Sequence, residues 1–194
     1  HSYYDNIHTD APGWADCCAE IPWRCYINYG DRKIIEESLP TIKKHLDRVI
    51  RLNPDLIWSK CGNKYGDWLN GDNLKVKGYP KSGGRVPFEF FSTMNLLRTV
   101  RLYVKMNQIT GNEAEAKQYT LLVEQIREKI IKKFVKKNAK IERETQAGYA
   151  LAVDWKLFGP ESYDKVWSNL KKAFKRYKGR LSTGFFSTKS LLNT

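Results

Sequence analysis

The sequence predicts an all-α fold in which inner helices are walled by outer ones, and three observations predict it. Segments that are apolar on most sides alternate, three times over, with segments that keep a single apolar stripe. An all-round apolar helix must be covered on every side, whereas an amphipathic one buries one face and wets the other. No run with the two-residue period of a strand persists, so any sheet is at most a small hairpin within residues 54–86. Finally, 41% apolar and 13% aromatic residues in a chain of 194 supply a real core, enough for one ordinary domain spanning 1–194. Layered αα-hairpins of this kind build a helical toroid.

Each element follows from local signals. Residues 1–15 are rich in Gly, Pro, Asp and aromatics without a period and read as loop. Asp16 stands where an N-cap would stand before an apolar helix from Cys17 to Tyr29, buried on all sides, with Pro22 expected to kink it or delay its start. Gly30-Asp31 breaks the pattern. Ile34, Ile35, Leu39, Ile42, Leu46, Val49 and Ile50 then mark an amphipathic helix, expected to be interrupted at Pro40 and ended by Asn53-Pro54. Residues 54–86 hold eight of the chain's glycines and prolines in a long irregular stretch, and long ordered loops are often functional. Pro87 opens an apolar helix reaching Ile109, closed by Gly111. Asn112 to Val135 is amphipathic, Gln146 to Leu157 apolar, Pro160 to Tyr177 amphipathic, and Leu181 to Thr194 a loop followed by the start of a helix.

Composition excludes several classes. No apolar run is long enough to span a membrane. His1 to Asp5 lack the basic and apolar regions of a signal peptide, and a start without Met points to a trimmed or partial chain. Cys17, Cys18, Cys25 and Cys61 form no CxxC pair and no zinc spacing, so free, buried thiols and no metal are expected. The formal charge of +13 would suit phosphates. Its lysines, however, follow helix patterns, such as Lys132, Lys133, Lys136 and Lys137, or Lys171, Lys172, Lys175 and Arg176. Cations there suit the helix dipole, so solvated faces are expected and no nucleic-acid partner. His45, on an amphipathic face, reads as a surface or satisfied histidine rather than a ligand.

In a toroid of hairpins the loops before the inner helices gather at one face. Here these are 8–16, 62–86, 140–146 and 180–188. They carry Gly13-Trp14-Ala15-Asp16, Tyr65-Gly66-Asp67-Trp68-Leu69, Glu144-Thr145-Gln146 and Leu181-Ser182-Thr183-Gly184-Phe185. Twice an indole stands beside a carboxylate on a glycine-bearing loop. Sugars are bound by such pairs, the indole taking the C–H face of a ring and the carboxylate a vicinal diol. The bland alternative is that Trp14 and Trp68 pack as core while Asp16 and Asp67 cap helices.

Those motifs, together with Ile21-Pro22-Trp23, Tyr29-Gly30-Asp31-Arg32-Lys33-Ile34-Ile35-Glu36-Glu37 and Tyr149-Ala150-Leu151-Ala152, resemble in order and spacing the bacterial-type α-L-rhamnosidases of glycoside hydrolase family 78, from about Pro12 to Leu192. Each is weak alone; in series they are specific. The resemblance implies an (α/α)6 barrel, the six-hairpin glycosidase toroid, of which about three hairpins are present as an internal piece. It implies hydrolysis of terminal α-L-rhamnosides with inversion, by one acid and one base carboxyl group. The family's acid motif lies upstream of the Gly-Trp-Ala-Asp segment and its Trp-Glu base motif downstream of Leu-Ser-Thr-Gly-Phe. Neither is present, so the resemblance implies no catalytic residue within the piece, which would be inactive alone and need the remainder of the barrel. Trp14 and Trp68 match the aromatic walls around rhamnose, including the cover on its C5 methyl, and Asp16 and Asp67 match neighbouring positions. A rhamnose-containing glycan is the implied partner, with no cofactor. Two departures stand out: Phe186-Ser187, where the family has a small or β-branched residue and Gly, and the Lys- and Gly-rich loop 70–86. Competing readings are a general acid among Asp16, Asp67 and Glu144, a carbohydrate-binding or scaffold toroid without chemistry, and nucleic-acid binding through the basic faces.

Overall fold

The computed structural model describes residues 10–194, so the expectations for residues 1–9, His1 and His8 among them, lie outside the described residues. The chain is all-α, with seven α-helices among those residues. It forms two compact units, one of residues up to Lys64 with Asn95–Lys129, the other of Tyr65–Met94 with Ile130–Thr194.

In the first unit, α1 (Cys17–Tyr29) and α2 (Arg32–Leu52) form a hairpin. Gly30 turns the chain between them in the left-handed region, at φ 69°, and Asp31 caps α2 by accepting from the Ile34 N–H at 3.3 Å. α2 buries Ile35, Leu39, Ile42, Leu46 and Val49, the stripe that its period requires. Two expectations are corrected. Both helices run unbroken across Pro22 and Pro40. Nor is α1 buried on all sides: it buries Ala19 and Pro22, while Ile21, Ile27 and Tyr29 are exposed. The unit is completed by the later part of α3 (Phe88–Thr110) and the earlier part of α4 (Glu113–Phe134). The Tyr103 and Tyr119 rings meet edge-on at 4.7 Å. Tyr119 accepts from Lys43 Nζ at 3.0 Å, and Glu115 accepts from Tyr103 Oη at 3.0 Å, which joins α2, α3 and α4 by a polar chain. Burial, then this bond to Glu115, pushes the Tyr103 hydroxyl up to about 12.

In the second unit, Phe90 of α3 packs edge-on against Phe134 of α4 at 5.7 Å, and Lys133 reaches Glu89 at 2.7 Å. The expected place for a small hairpin was 54–86; the structure puts the two-residue ladder of β1 (Val135–Lys136) and β2 (Lys140–Ile141) after α4 instead. Asn138 and Ala139 take positive φ at its turn, and Asn169 of α6 (Tyr163–Arg176) ties both carbonyls. α5 (Gln146–Asp154) is capped by Thr145, whose side chain accepts from Gly148 N–H at 3.0 Å. It is buried from Gln146 to Ala152 and packs against both α6 (Tyr163–Arg176) and α7 (Phe185–Leu192). It ends at Asp154, short of the expected Leu157, because Lys156 turns left-handed and Leu157 N–H returns to the Ala152 carbonyl. Burial pushes the Tyr149 hydroxyl on α5 up to about 12.

Candidate functional site

The expected sugar-contacting residues divide between the units: Trp14 and Asp16 in the first, Trp68 and Asp67 in the second. In the first, the chain before α1 makes a tight turn. Trp14 and Ala15 donate N–H to the Ala11 carbonyl at 3.1 and 2.8 Å, and Gly13 sits at φ 85°. Asp16 occupies the N-cap position of α1, yet it caps no helical N–H. Its carboxylate instead accepts from Gly13 N–H at 2.7 Å and Thr99 Oγ1 at 2.6 Å, with His45 Nε2 3.3 Å away. Asp16 is 3% exposed, whereas Trp14 is half-buried. Asp16 therefore pins the turn that carries Trp14 to α3 and α2. Asp10, which the sequence did not single out, does a similar task beside it. It is buried and accepts from Gly62 N–H at 2.8 Å, with Arg48 3.4 Å away. The cysteines are free; Cys17 is exposed, and burial, then the Asp16 charge, pushes the half-buried Cys18 thiol up to about 12.

The second unit brings three of the four expected loops together. Asp67, 3% exposed, receives the N–H groups of Gly184 at 2.9 Å and of Phe186 and Ser187 at 3.0 Å each, plus the Ser187 hydroxyl. These N–H groups open α7, where a helix leaves donors unsatisfied and its dipole favours an anion. The Trp68 carbonyl accepts from Phe185 N–H at 2.7 Å, and Gly71 N–H donates to Ser182 at 3.3 Å. Loop 65–71 is thus paired to 182–187 along its length. Gln146, at the start of α5, adds the third loop: Nε2 donates to the Arg180 carbonyl at 2.8 Å and Oε1 accepts from Ser182 N–H at 2.9 Å. The closeness dictates glycines. A Cβ at Gly184 would meet the carbonyls of Asp67 and Trp68 at 2.4 and 2.5 Å, and one at Gly71 would meet Ser182 Cβ at 2.7 Å.

From this clamped backbone the Trp68 side chain projects half-exposed, with Tyr65 and Leu69 exposed beside it. Gly66 and Leu69 bracket it at φ 62° and 59°. The departures at 186 and 187 also find their reason. Phe186 packs edge-on against Phe91 at 5.5 Å, and Ser187 feeds the Asp67 cluster. The carboxylates of these loops are committed. Asp67 holds α7, Asp72 accepts from Gly84 and Arg85 N–H at 2.8 and 3.1 Å, and Glu144 lies 3.4 Å from Lys140. The Gln146 and Ser182 bridge was invisible in sequence, because a polar residue opening an apolar helix carries no periodic signal.

An open groove of about 720 Å3 lies in the first unit, lined by Leu39, Lys43, Tyr103, Asn107 and Glu115 among others, and it includes none of the indole-bearing loops. Among the described residues, no cluster of His, Cys, Asp and Glu could hold a metal ion, and no helix is long and apolar enough to cross a membrane.

Comparison with known proteins places this geometry. Residues 2–194 match the family described as the bacterial alpha-L-rhamnosidase 6 hairpin glycosidase domain. An alpha-L-rhamnosidase of Streptomyces avermitilis is 28% identical over 96% of this chain, and one of Formosa agariphila 27% identical over 91%. The chain spans only 17% and 18% of those proteins' lengths. Among solved structures, the Streptomyces avermitilis alpha-L-rhamnosidase complexed with L-rhamnose superposes with a TM-score of 0.82 at 27% identity, over 94% of this chain and 16% of that one. The alpha-L-rhamnosidase of Dictyoglumus thermophilum gives 0.82 at 26% identity, over 95% and 20%. With nearly its whole length matched by that one family, the chain belongs to the bacterial α-L-rhamnosidases, in their six-hairpin glycosidase domain.

Proposed function

We propose that the chain supplies rhamnose-binding walls to an enzyme that hydrolyses terminal α-L-rhamnosides with inversion. Trp68 presents its indole face to the sugar, and Trp14, in the other unit, is a sugar-contacting residue in its own right. Asp67 and Asp16 act behind them, holding the loops at fixed angles. The observation that carries this reading is the half-exposed Trp68 on a backbone fixed at both Asp67 and its own carbonyl, in a chain of this family. An aromatic platform gains from being rigid, because less freedom is lost when the sugar docks.

The acid and base are proposed to lie outside these 194 residues. Inversion needs two carboxyl groups about 6.5–9.5 Å apart with room for a water between them. The commitments of Asp16, Asp67 and Asp72 to buried or backbone donors support that assignment, since carboxylate oxygens already taken by such donors are not free to meet a glycosidic oxygen or a water. So does the share of the relatives' length that the chain covers.

The test uses an aryl α-L-rhamnoside and the gene product that contains this segment. Hydrolysis, with kcat/KM falling at least about a hundredfold in Trp68→Ala, is the expected result. Unchanged kcat/KM in both Trp14→Ala and Trp68→Ala would remove the indoles from the sugar site.

A further inference from the structure

The chain's positive charge is unevenly placed. The second unit carries 19 Lys and Arg against 8 Asp and Glu, a net of +11 out of the chain's +13. Much of the excess sits on two stretches. From Lys165 to Arg180 there are seven cations, all exposed, and no Asp or Glu. Lys75, Lys77, Lys81 and Arg85 are likewise exposed, on the loop that follows Trp68. Cations at a helix end suit its dipole, but a face that meets only water ordinarily intersperses both signs.

The two stretches meet at the end of α6. A Cβ at Gly83 would stand 3.4 Å from Arg176 Nη1, and the Tyr177 hydroxyl donates to the Ser82 carbonyl at 3.4 Å. Arg180 donates to the Lys77 carbonyl at 3.5 Å and lies over the Tyr79 ring, 5.3 Å from its centroid. Arg176 also donates to the carbonyls of Arg143 and Glu144, and Asn169 to those of Asn138 and Ala139. The β1–β2 turn, with Lys136 and Lys137 exposed, therefore adjoins the same helix. Among the described residues, the cations of 165–180 and of the loop pair with no carboxylate.

The loop is a prong fixed at its base. Asp72 accepts from Gly84 and Arg85 N–H at 2.8 and 3.1 Å, which closes it, and Tyr79 N–H returns to the Val76 carbonyl at 3.1 Å. Its outer run is Leu74-Lys75-Val76-Lys77, with Leu74 43% and Val76 52% exposed. Scattered exposed aliphatics need no explanation. Here two of them alternate with lysines on a loop tied at both ends. That is the pattern of an interfacial membrane contact, with apolar tips below the head groups and cations level with the phosphates.

We propose that this cationic face of the second unit docks on an anionic lipid bilayer, with Leu74 and Val76 entering at the level of the acyl chains and Lys75, Lys77, Lys172 and Lys175 meeting head-group phosphates. Charge alone gives only part of such an attachment, and apolar insertion is the second signal that makes it stable. A nucleic acid would meet the same charge, but it draws affinity from exposed rings on which bases stack. Along α6, Tyr163, Trp167 and Phe174 are only partly exposed, Tyr177 is buried, and Arg180 already occupies a face of Tyr79. Leu74 and Val76 would offer a nucleic acid nothing. The proposal stands apart from what Trp68 faces.

The experiment uses the whole gene product that contains this segment, sedimented with sucrose-loaded vesicles. One set is phosphatidylcholine alone, and the other holds about 30% phosphatidylglycerol. The expected result is a partition coefficient at least about tenfold higher on the anionic vesicles in about 0.1 M salt, falling several-fold by about 0.5 M. The triple variant Lys171→Gln, Lys172→Gln, Lys175→Gln should lose at least about tenfold of that partition. The pair Leu74→Ser, Val76→Ser, which keeps every charge, should lose at least about fivefold. All five side chains are exposed, so both variants should unfold at the parent's midpoint. Binding of a labelled double-stranded DNA oligomer, read by anisotropy, should be unchanged in the serine pair. Equal partition on neutral and anionic vesicles would overturn the proposal. So would vesicle binding that neither variant weakens, which would place the contact elsewhere in the gene product. If the serine pair partitions like the parent while the lysine variant loses vesicles and DNA together, the face is a general polyanion surface and the lipid assignment falls.

Discussion

Asp67 and Ser187 are joined twice: the Ser187 N–H donates to Oδ1 at 3.0 Å and its hydroxyl donates to Oδ2. Two residues far apart in sequence thereby fix the entry of α7 and the loop that carries Trp68. Asp67→Asn replaces an acceptor with an amide N–H facing other N–H groups. The expected cost is about 3 kcal/mol, the range for breaking a buried charged cluster. It should appear as a lower denaturation midpoint and as faster hydrogen exchange at Phe186 and Ser187. Unchanged exchange would mean that the carboxylate does not hold the helix.

Gly184→Ala tests the same junction from the other side. The new methyl would stand 2.4 Å from the Asp67 carbonyl, so backbone must move. A loss of about 2 kcal/mol is expected, with a shifted fluorine resonance of Trp68 in protein labelled with 5-fluorotryptophan and assigned by Trp68→Phe. Ser187→Ala, which removes one donor and adds no bulk, should cost less and leave that resonance near its parent position.

Much of this was legible beforehand, and the reasons differ by element. The stripe Ile35, Leu39, Ile42, Leu46 and Val49 could be read because burial on one face imposes a period. The indole-bearing loops could be read because Gly and Trp beside Asp punctuate them. What could not be read was how each carboxylate is spent. Asp16 looks like an N-cap in sequence, but its partners are Gly13, Thr99 and His45, from three segments. The exposure of Ile21 and Ile27 on α1 was equally hidden, since apolarity states what a helix can bury and not what covers it.

Thr99→Val keeps the shape of a buried residue and removes the hydroxyl that Asp16 accepts at 2.6 Å. A loss of about 1.5 kcal/mol is expected, because the carboxylate keeps its other donors. Thermal unfolding of the variant measures it, and a neutral result would show that Gly13 and His45 secure the carboxylate without the hydroxyl.

Alkaline pH should weaken the fold through two tyrosines. Tyr149 and Tyr103 ionise near 12 in the folded chain and near 10 when unfolded. Their contribution is complete below pH 10 and is lost as pH rises from 10 to 12, because only the unfolded state releases the protons there. For the fully buried Tyr149 this amounts to about 2 kcal/mol. Melting temperature across that window, for the parent and for Tyr149→Phe, reads it. A parent curve flat to pH 12 would contradict the shifts.

Leu69 holds the left-handed conformation at φ 59°, and its side chain is 58% exposed. A branched residue so placed costs about 1–2 kcal/mol relative to ordinary backbone and recovers little by burial. The platform beside it thus rests on a sprung peptide as well as on the hydrogen bonds that tie Asp67 and the Trp68 carbonyl to the start of α7. Selection for heat tolerance would find an easy gain in putting glycine at residue 69, and would risk slackening the ring's aim in the same step.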